Sequence, residues 1–308
     1  MRVERVECAE PAMGSWFALV LIGPRRAALE AAAEAAFDEV HRLDRLLSNY
    51  SPRSEWSAVN REAATRPVGV SQEVFDLLTL CLDTWRQSDG AFDVTVGPLI
   101  KLWGFYGGEG TLPSADAVDA TLARVGAGFV ELDAERRTVR FLRPGVELDP
   151  GAIGKGYAVD RMVAVLRAHG VDAALVSAAG SSIVGLGTPP DEAGWRVSIG
   201  VGRGASTSAA DVRLADLSVS TSGSREKCFR AGGRTYSHLL DPRTGFPARG
   251  ASSVSVVAAR AVDSEAWSTP YFVNGKAWTA AHRRPGHRVF FCDDAPDVTC
   301  GWVECPEG

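Results

Sequence analysis

The sequence predicts an α+β fold in a single large domain spanning residues 1–308, with mixed or antiparallel sheets flanked by helices. Three observations predict it. Helical and strand patterns follow one another irregularly, without the regular strand–helix succession of a doubly wound sheet. No internal repeat and no linker-like stretch divides the 308 residues, a length that suits one large domain or two ordinary ones. A hydrophobic content of 45% with 23% charged residues matches a folded globular chain and excludes a disordered one.

In "ALEAAAEAAFDEVHRLDRLLS" the residues Leu29, Ala33, Phe37, Val40, Leu43 and Leu47 recur at helical spacing with acids and arginines elsewhere, which predicts an amphipathic helix. "QEVFDLLTLCLDTWRQS", residues 72–88, predicts a second, stopped by Asp89-Gly90. "SADAVDATLARVG" predicts a third, with Ser114 as its cap. "FVELDAERRTVRFL" reads as a hairpin of two alternating strands. After "GKG", Ala158, Met162, Val163 and Leu166 share one helical face, and Gly170 ends that helix. "AALVS" has the composition of a buried strand; "WRVSIGV", "LSVST", "TYSHLL" and "SSVSVVAA" predict further strands, and "EAWSTPYFV" opens a helix.

A net charge of -5 and the lack of a basic cluster exclude a nucleic-acid surface. Arginine supplies nearly all the positive charge; lysine stands only at 101, 155, 227 and 276, which singles out Lys155. The stretch "MRVERVECAEPAMGSW" lacks the apolar centre of a signal peptide. No apolar run approaches the roughly 20 residues that cross a bilayer. A cytoplasmic protein without a membrane span is expected. The six cysteines, at 8, 81, 228, 292, 300 and 305, form no C-x-x-C pair and no zinc spacing, so reduced thiols are expected.

"SHLLDPRTGFP", residues 237–247, places one of five histidines before a charged turn. Tyr236, His238 and Leu240 alternate onto one face of an extended segment. Asp241-Pro242 then opens a type I turn, with the acid first and proline second. A histidine held there near solvent suits binding or catalysis, and equally a plain surface role. "DPGAIGKGYAVD", residues 149–160, sets glycines and Lys155 just before a helix, where free N–H groups and the helix dipole favour phosphate. It is not a Walker loop, which needs a longer loop and a hydroxyl after the lysine; a strand-to-helix turn with a solvated lysine accounts for it equally. "GVGRGAS", residues 200–206, lacks the helix that a dinucleotide fingerprint requires. "TSGS" and "AAGSSIVG" match no nucleophile elbow.

"SDGAFDVTVGPLIKLWGF", residues 88–105, reads as a turn, a strand and an aromatic run. Asp93 falls on the strand face opposite Phe92 and Val94. It either bridges the turn or holds the polar edge of a heteroaromatic ligand. In "DSEAWST", residues 263–269, Glu265 and Thr269 share a face if the segment is helical. They either offer two oxygens to a hard cation such as Mg²⁺ or decorate a helix start.

Six blocks, in this order, resemble the ApbE family of FAD:protein FMN transferases over about residues 11–276. "AMGSWF" is similar to the family's M-G-T opening, and "LSNYSPRSEWSAVN" to its S-x-Y/F-x-x-x-S-E-x-S-x-x-N segment. "GAFDVTVGPLIKLWGF" follows G-A-F-D-x-T-x-G-P-L-x-x-L-W-G-F almost letter for letter. "ELDPGAIGKGYAVD", "SVSTSG" and "HLLDPRTGFP" resemble D-L-G-A-I-G-K-G-Y-A-x-D, the T-S-G strand and H-I-I-D-P-R-T-G-x-P. The resemblance implies a transferase that cleaves FAD with Mg²⁺, passes FMN to a threonine or serine hydroxyl of an acceptor protein, and releases AMP. It implies that Met13, Tyr50, Ala91, Phe92 and Asp93 line the flavin and adenine pockets, joined by Thr221 and Leu239, with Asp149 and Lys155 on the dinucleotide. It implies that the Ala152 carbonyl, Glu265 and Thr269 hold the metal, and that His238, kept in position by the Asp241-Pro242 turn, is catalytic with Asp241.

The chain departs from the family pattern at several positions. Glu265 replaces the aspartate of A-D-A-x-x-T, and Pro270 follows Thr269 where alanine is common. Ala179-Gly180 stands for paired glycines, Ser177 for an asparagine, and Ser15 for a threonine. The exchange at Glu265 supports an alternative: a non-catalytic FAD-binding protein, or one that hydrolyses FAD without an acceptor.

Overall fold

A computed structural model describes residues 3–108, 110–200, 209–295 and 298–304. Its centre is an eight-stranded sheet in the order β1-β2-β6-β7-β10-β13-β14-β15. The strands are β1 (Glu4–Ala12), β2 (Ser15–Gly23), β6 (Ala173–Ala178), β7 (Ser182–Leu186), β10 (Leu217–Gly223), β13 (Ala251–Ala258), β14 (Arg288–Asp293) and β15 (Cys300–Trp302). Every neighbouring pair is antiparallel. Helices α1 (Arg26–Leu47), α6 (Gly154–Ala168) and α7 (Ala261–His282) cover one face. The hairpin of β8 (Trp195–Gly200) and β9 (Ala209–Leu214) covers part of the other, packing Trp195, Ile199 and Leu214 on Val219, Val257 and Phe290. Buried between these layers, β13 has no exposed residue.

A second layer of elements wraps one end of the sheet. It contains α2 (Glu55–Glu62), β3 (Val68–Gly69), α3 (Gln72–Gln87), α4 (Gly97–Leu102), α5 (Ala115–Leu122), β4 (Val130–Asp133), β5 (Thr138–Phe141), β11 (Cys228–Ala231) and β12 (Arg234–Ser237). Trp56, Phe92, Leu77 and Phe141 form its core, continuous with Tyr271 and Phe272 of α7. Ser54, Ser71 and Ser114 cap α2, α3 and α5, each accepting the N–H three residues on. The six apolar residues expected on one face of α1 are all buried.

Helices α6 and α7 cap one another. The Asp160 carboxylate on α6 accepts the first N–H groups of α7, from Ala261 at 2.8 Å and Val262 at 2.9 Å. Glu265 on α7 accepts the Gly156 N–H in the first turn of α6. Each carboxylate thus sits at the positive end of the partner helix and satisfies donors that have no intrahelical acceptor. The arrangement needs glycine at 156, because a Cβ there would stand 2.4 Å from the Ala261 carbonyl oxygen and 2.9 Å from Glu265 Cβ. Gly156→Ala is expected to force the helices apart at a cost of about 1–3 kcal/mol, lowering Tm by several degrees in calorimetry. Gly69→Ala, where a Cβ meets nothing within 4 Å, is the control. Equal Tm values for the two variants would refute the close-packing argument.

Four expectations need correction. Residues 91–96 form a turn rather than a strand: Asp93 Oδ1 accepts the Thr95 N–H at 2.7 Å and its hydroxyl at 2.6 Å, and Oδ2 accepts the Ala127 N–H at 2.8 Å, which curls the chain. Strand β12 stops at Ser237 rather than running through Leu240, which makes only an isolated bridge with Pro247. The helix expected to open at "EAWSTPYFV" begins earlier, at Ala261, which leaves Pro270 well inside α7; the backbone leaves helical geometry at Gly275, where φ is 83°. Cys292 and Cys300 form a disulfide between β14 and β15, so the expectation of reduced thiols fails at this pair. Cys8, Cys81 and Cys228 are free, and Cys305 lies outside the described residues, as do 201–206 of "GVGRGAS". Among the described residues no helix is long and apolar enough to cross a membrane.

Candidate active site

A cavity of about 470 Å³ opens where the first turn of α6, the middle of α7, the end of β10, the 91–94 turn and the segment after β12 converge. Its wall contains Met13, Tyr50, Ala91, Phe92, Asp93, Asp149, Ala152, Lys155, Thr221, His238, Leu239, Glu265 and Thr269. The sequence places them in seven separated segments, and chain folding brings them to one place. Asp241 alone stands off the wall. Arg243 grips its carboxylate at 2.8 and 2.9 Å, its Oδ1 accepts the Arg243 N–H, and its backbone oxygen accepts the Gly245 N–H. Asp241 therefore builds the turn behind His238 and does not face the cavity.

His238 is half-buried at the mouth, edge-on to Phe105 at 6.3 Å between ring centres. Its Nδ1 lies 3.1 Å from the Lys227 carbonyl oxygen. A carbonyl only accepts, so Nδ1 carries the proton and Nε2 keeps its lone pair in the neutral ring. Burial, reinforced by the Lys227 and Lys155 charges, pulls this imidazole down to about 4. It is consequently neutral, and a base, throughout the physiological range.

Glu265 is buried at 6% exposure. Its Oε1 is 2.9 Å from Lys155 Nζ while its other oxygen takes the Gly156 N–H. Burial alone would lower the Lys155 ammonium, but the Glu265 charge and hydrogen bond, with Glu226 and Asp149 near, hold it above its ordinary value. One helical turn beyond Glu265, the Ser222 hydroxyl bridges Ser268 at 2.8 Å and Thr269 at 3.3 Å.

On the opposite wall, Asp149 Oδ2 receives the Tyr106 hydroxyl and, at 3.2 Å, the Asn49 amide, while Oδ1 accepts the Gly151 N–H at 2.7 Å. Tyr50, 75% exposed, stands edge-on to Tyr106 and presents a free ring face. Met13 occupies the β1–β2 turn at φ 51° and reaches Gly154 at the start of α6. Asp93 has both oxygens engaged by Thr95 and Ala127, and burial raises its carboxyl despite those bonds. Its function in the wall is to fix the turn that presents Ala91 and Phe92.

Sequence reasoning missed Tyr106, Asn49 and Glu226, all in the same wall. Asn49 lies inside the quoted "LSNYSPRSEWSAVN" and Tyr106 directly follows "LWGF", so both were adjacent to a signal. Glu226 follows the "TSGS" segment and carried none.

Aromatic and thioether walls, a helix N-terminus with its lysine, and a carboxylate–hydroxyl cluster define a site for an anionic, ring-bearing ligand. The ApbE family model matches residues 13–291, and the chain belongs to the ApbE family. It is 34% identical to a FAD:protein FMN transferase of Treponema pallidum, across 94% of this chain and 85% of that protein. It is 32% identical to a FAD:protein FMN transferase of Klebsiella pneumoniae, across 85% of this chain and 77% of that one. Among solved structures, the ApbE protein of Thermotoga maritima superposes with a TM-score of 0.87 at 29% identity, covering 96% of each chain. The apo form of Pseudomonas stutzeri flavinyl transferase ApbE gives a TM-score of 0.85 at 28% identity, over 98% and 96% of the two chains.

Proposed function

We propose that this chain is an FAD:protein FMN transferase that moves FMN from FAD to a serine or threonine hydroxyl of an acceptor protein. The observation that carries the reading is a neutral, tautomer-fixed His238 sharing one cavity with the Lys155–Glu265 pair at a helix N-terminus, in a chain of the ApbE family. Phe92, Leu239 and Met13 offer apolar surface to the flavin, and Tyr50 an exposed ring for stacking. The first turn of α6 and Lys155 suit the pyrophosphate. His238 Nε2 takes the proton of the acceptor hydroxyl as its oxygen bonds the FMN phosphorus and the bond to AMP breaks. AMP leaves with the electron pair of that bond.

The donor set fits a divalent cation. Glu265 supplies a carboxylate, and Thr269, Ser222 and Ser268 supply hydroxyls in the same wall, all hard oxygens of the kind Mg²⁺ takes. No group of three or more His, Cys, Asp or Glu that could hold a metal occurs among the described residues. One carboxylate with neutral oxygens matches an ion that keeps waters and substrate phosphates in its shell. Glu265, Thr269 and Ala152 would hold Mg²⁺, whose chemistry there is neutralisation of charge on the pyrophosphate as AMP departs.

Incubation with FAD, with and without Mg²⁺, and a panel of acceptor proteins tests this. The expected result is AMP release with a covalent FMN adduct on the acceptor, seen by mass spectrometry and as flavin fluorescence on denaturing gels. AMP and free FMN without any adduct would instead favour FAD hydrolysis, the reading that the Glu265 exchange first suggested.

A further inference from the structure

We infer that Lys155 is an exchangeable counter-cation of Glu265, handed to the FAD pyrophosphate when a divalent cation takes its place. The inference rests on the transferase reading for the identity of the ligand, and on geometry for the exchange. Lys155 Nζ lies 2.9 Å from Glu265 Oε1 and 3.4 Å from the Gly151 carbonyl oxygen. The ammonium therefore stands between the Gly151 carbonyl oxygen and the α7 carboxylate, two acceptors that suit a cation. Both oxygens of Glu265 are engaged, one by Lys155 and one by the Gly156 N–H. The pair is shielded, with side-chain exposures of 26% for Lys155 and 7% for Glu265.

Such a carboxylate cannot hold a divalent ion and an ammonium at contact distance without strong repulsion between the two. Entry of the metal expels Lys155 from Glu265. A shielded ammonium stripped of its partner is unfavourable, and the other acids facing it, Glu226 and Asp149, hold it inside the cavity. The pyrophosphate of FAD is the anion that completes the exchange. The lysine thus resists the metal while the cavity lacks substrate and serves the phosphates once substrate arrives. Metal and FAD then bind with positive coupling, equal in both directions.

Direct contact between metal and phosphate would also couple the two ligands, so the deciding measurement is metal affinity without FAD. Mn²⁺ binding, followed by its paramagnetic resonance signal, is compared in wild type, Lys155→Met and Lys155→Arg. Lys155→Met removes the resident cation and is expected to bind Mn²⁺ about 5–150-fold more tightly without FAD, the usual span of site–site coupling. Lys155→Arg, whose planar fork grips a carboxylate through two hydrogen bonds, is expected to bind it more weakly than wild type. FAD titrations, with the nucleotide verified intact, are expected to show Lys155→Met losing affinity mainly when Mn²⁺ is present. A lysine that simply binds phosphate would leave FAD-free Mn²⁺ affinity unchanged in both variants, and that result overturns the exchange. If Lys155→Met does not fold, an unchanged or increased Mn²⁺ affinity in Lys155→Arg overturns it alone. FAD that fails to bind wild type under any condition overturns the transferase reading itself.

Discussion

His238→Ala is expected to reduce FMN transfer by about 10²–10⁴-fold, the usual worth of a general base, with FAD affinity changed only a few-fold. The surface proposed for the flavin is that of Phe92, Leu239, Met13 and Tyr50 in the cavity wall, all of which the substitution leaves in place. The pH profile supplies the sharper test. The His238 imidazole is held at about 4 by burial and by the neighbouring Lys227 and Lys155 charges, below the ordinary value of about 6.5. The basic form therefore persists as pH falls through 6.5, and the acid limb of kcat/KM is expected near pH 4–5. Linkage gives the sign for stability. Between its folded and unfolded values the unfolded chain binds the extra proton, so this histidine's contribution is present above about 6.5 and declines as pH falls towards 4. His238→Ala should thus lose transfer while becoming less sensitive to acid unfolding. Normal transfer in the variant, or an acid limb at 6.5 that survives the substitution, would reduce His238 to a strand-end residue.

Glu265→Ala is expected to abolish Mg²⁺-dependent turnover and to destabilise the fold by about 3–5 kcal/mol, the cost of breaking a buried ion pair by removing one partner. It strips Lys155 of its carboxylate and leaves the Gly156 N–H at the start of α6 without its acceptor. Glu265→Gln separates the two effects, because the amide oxygen can still accept from Gly156 while the charge is gone. Its Tm should lie between those of wild type and Glu265→Ala, with turnover as low as in Glu265→Ala. Glu265→Asp keeps the charge but loses one methylene of reach across the α6–α7 interface, so its turnover should fall and its Mg²⁺ requirement rise. The opposite outcome, an inert wild type with Glu265→Asp active, would assign this chain to the binding proteins. A Mg²⁺ titration of all four proteins, paired with thermal unfolding, reads both quantities.

By itself the sequence determined what depends on a few neighbouring residues. The apolar stripe of α1, the Ser114 cap of α5, the hairpin of β4 and β5, and the Asp241-Pro242 turn all follow from spacings of two to five positions. Backbone geometry makes those spacings meaningful without any partner. The family blocks, with the 263–269 segment, likewise marked thirteen of the residues in the cavity wall. The charged first strand was illegible because β1 is a sheet edge, where only one side is paired and few side chains are buried. The 91–96 turn deceived for the converse reason: its apolar residues are buried by packing, while an Asp93 bond to Ala127, 34 positions away, denies them a strand. Only the tertiary structure joined Asn49 to Asp149 across 100 positions and Glu265 to Gly156 across 109. It also paired Cys292 with Cys300 through the β14–β15 register. A carboxylate written in the sequence specifies a charge; which cation or N–H it meets is decided by helices and strands that pack far apart in the chain, and that packing set the chemistry of this site.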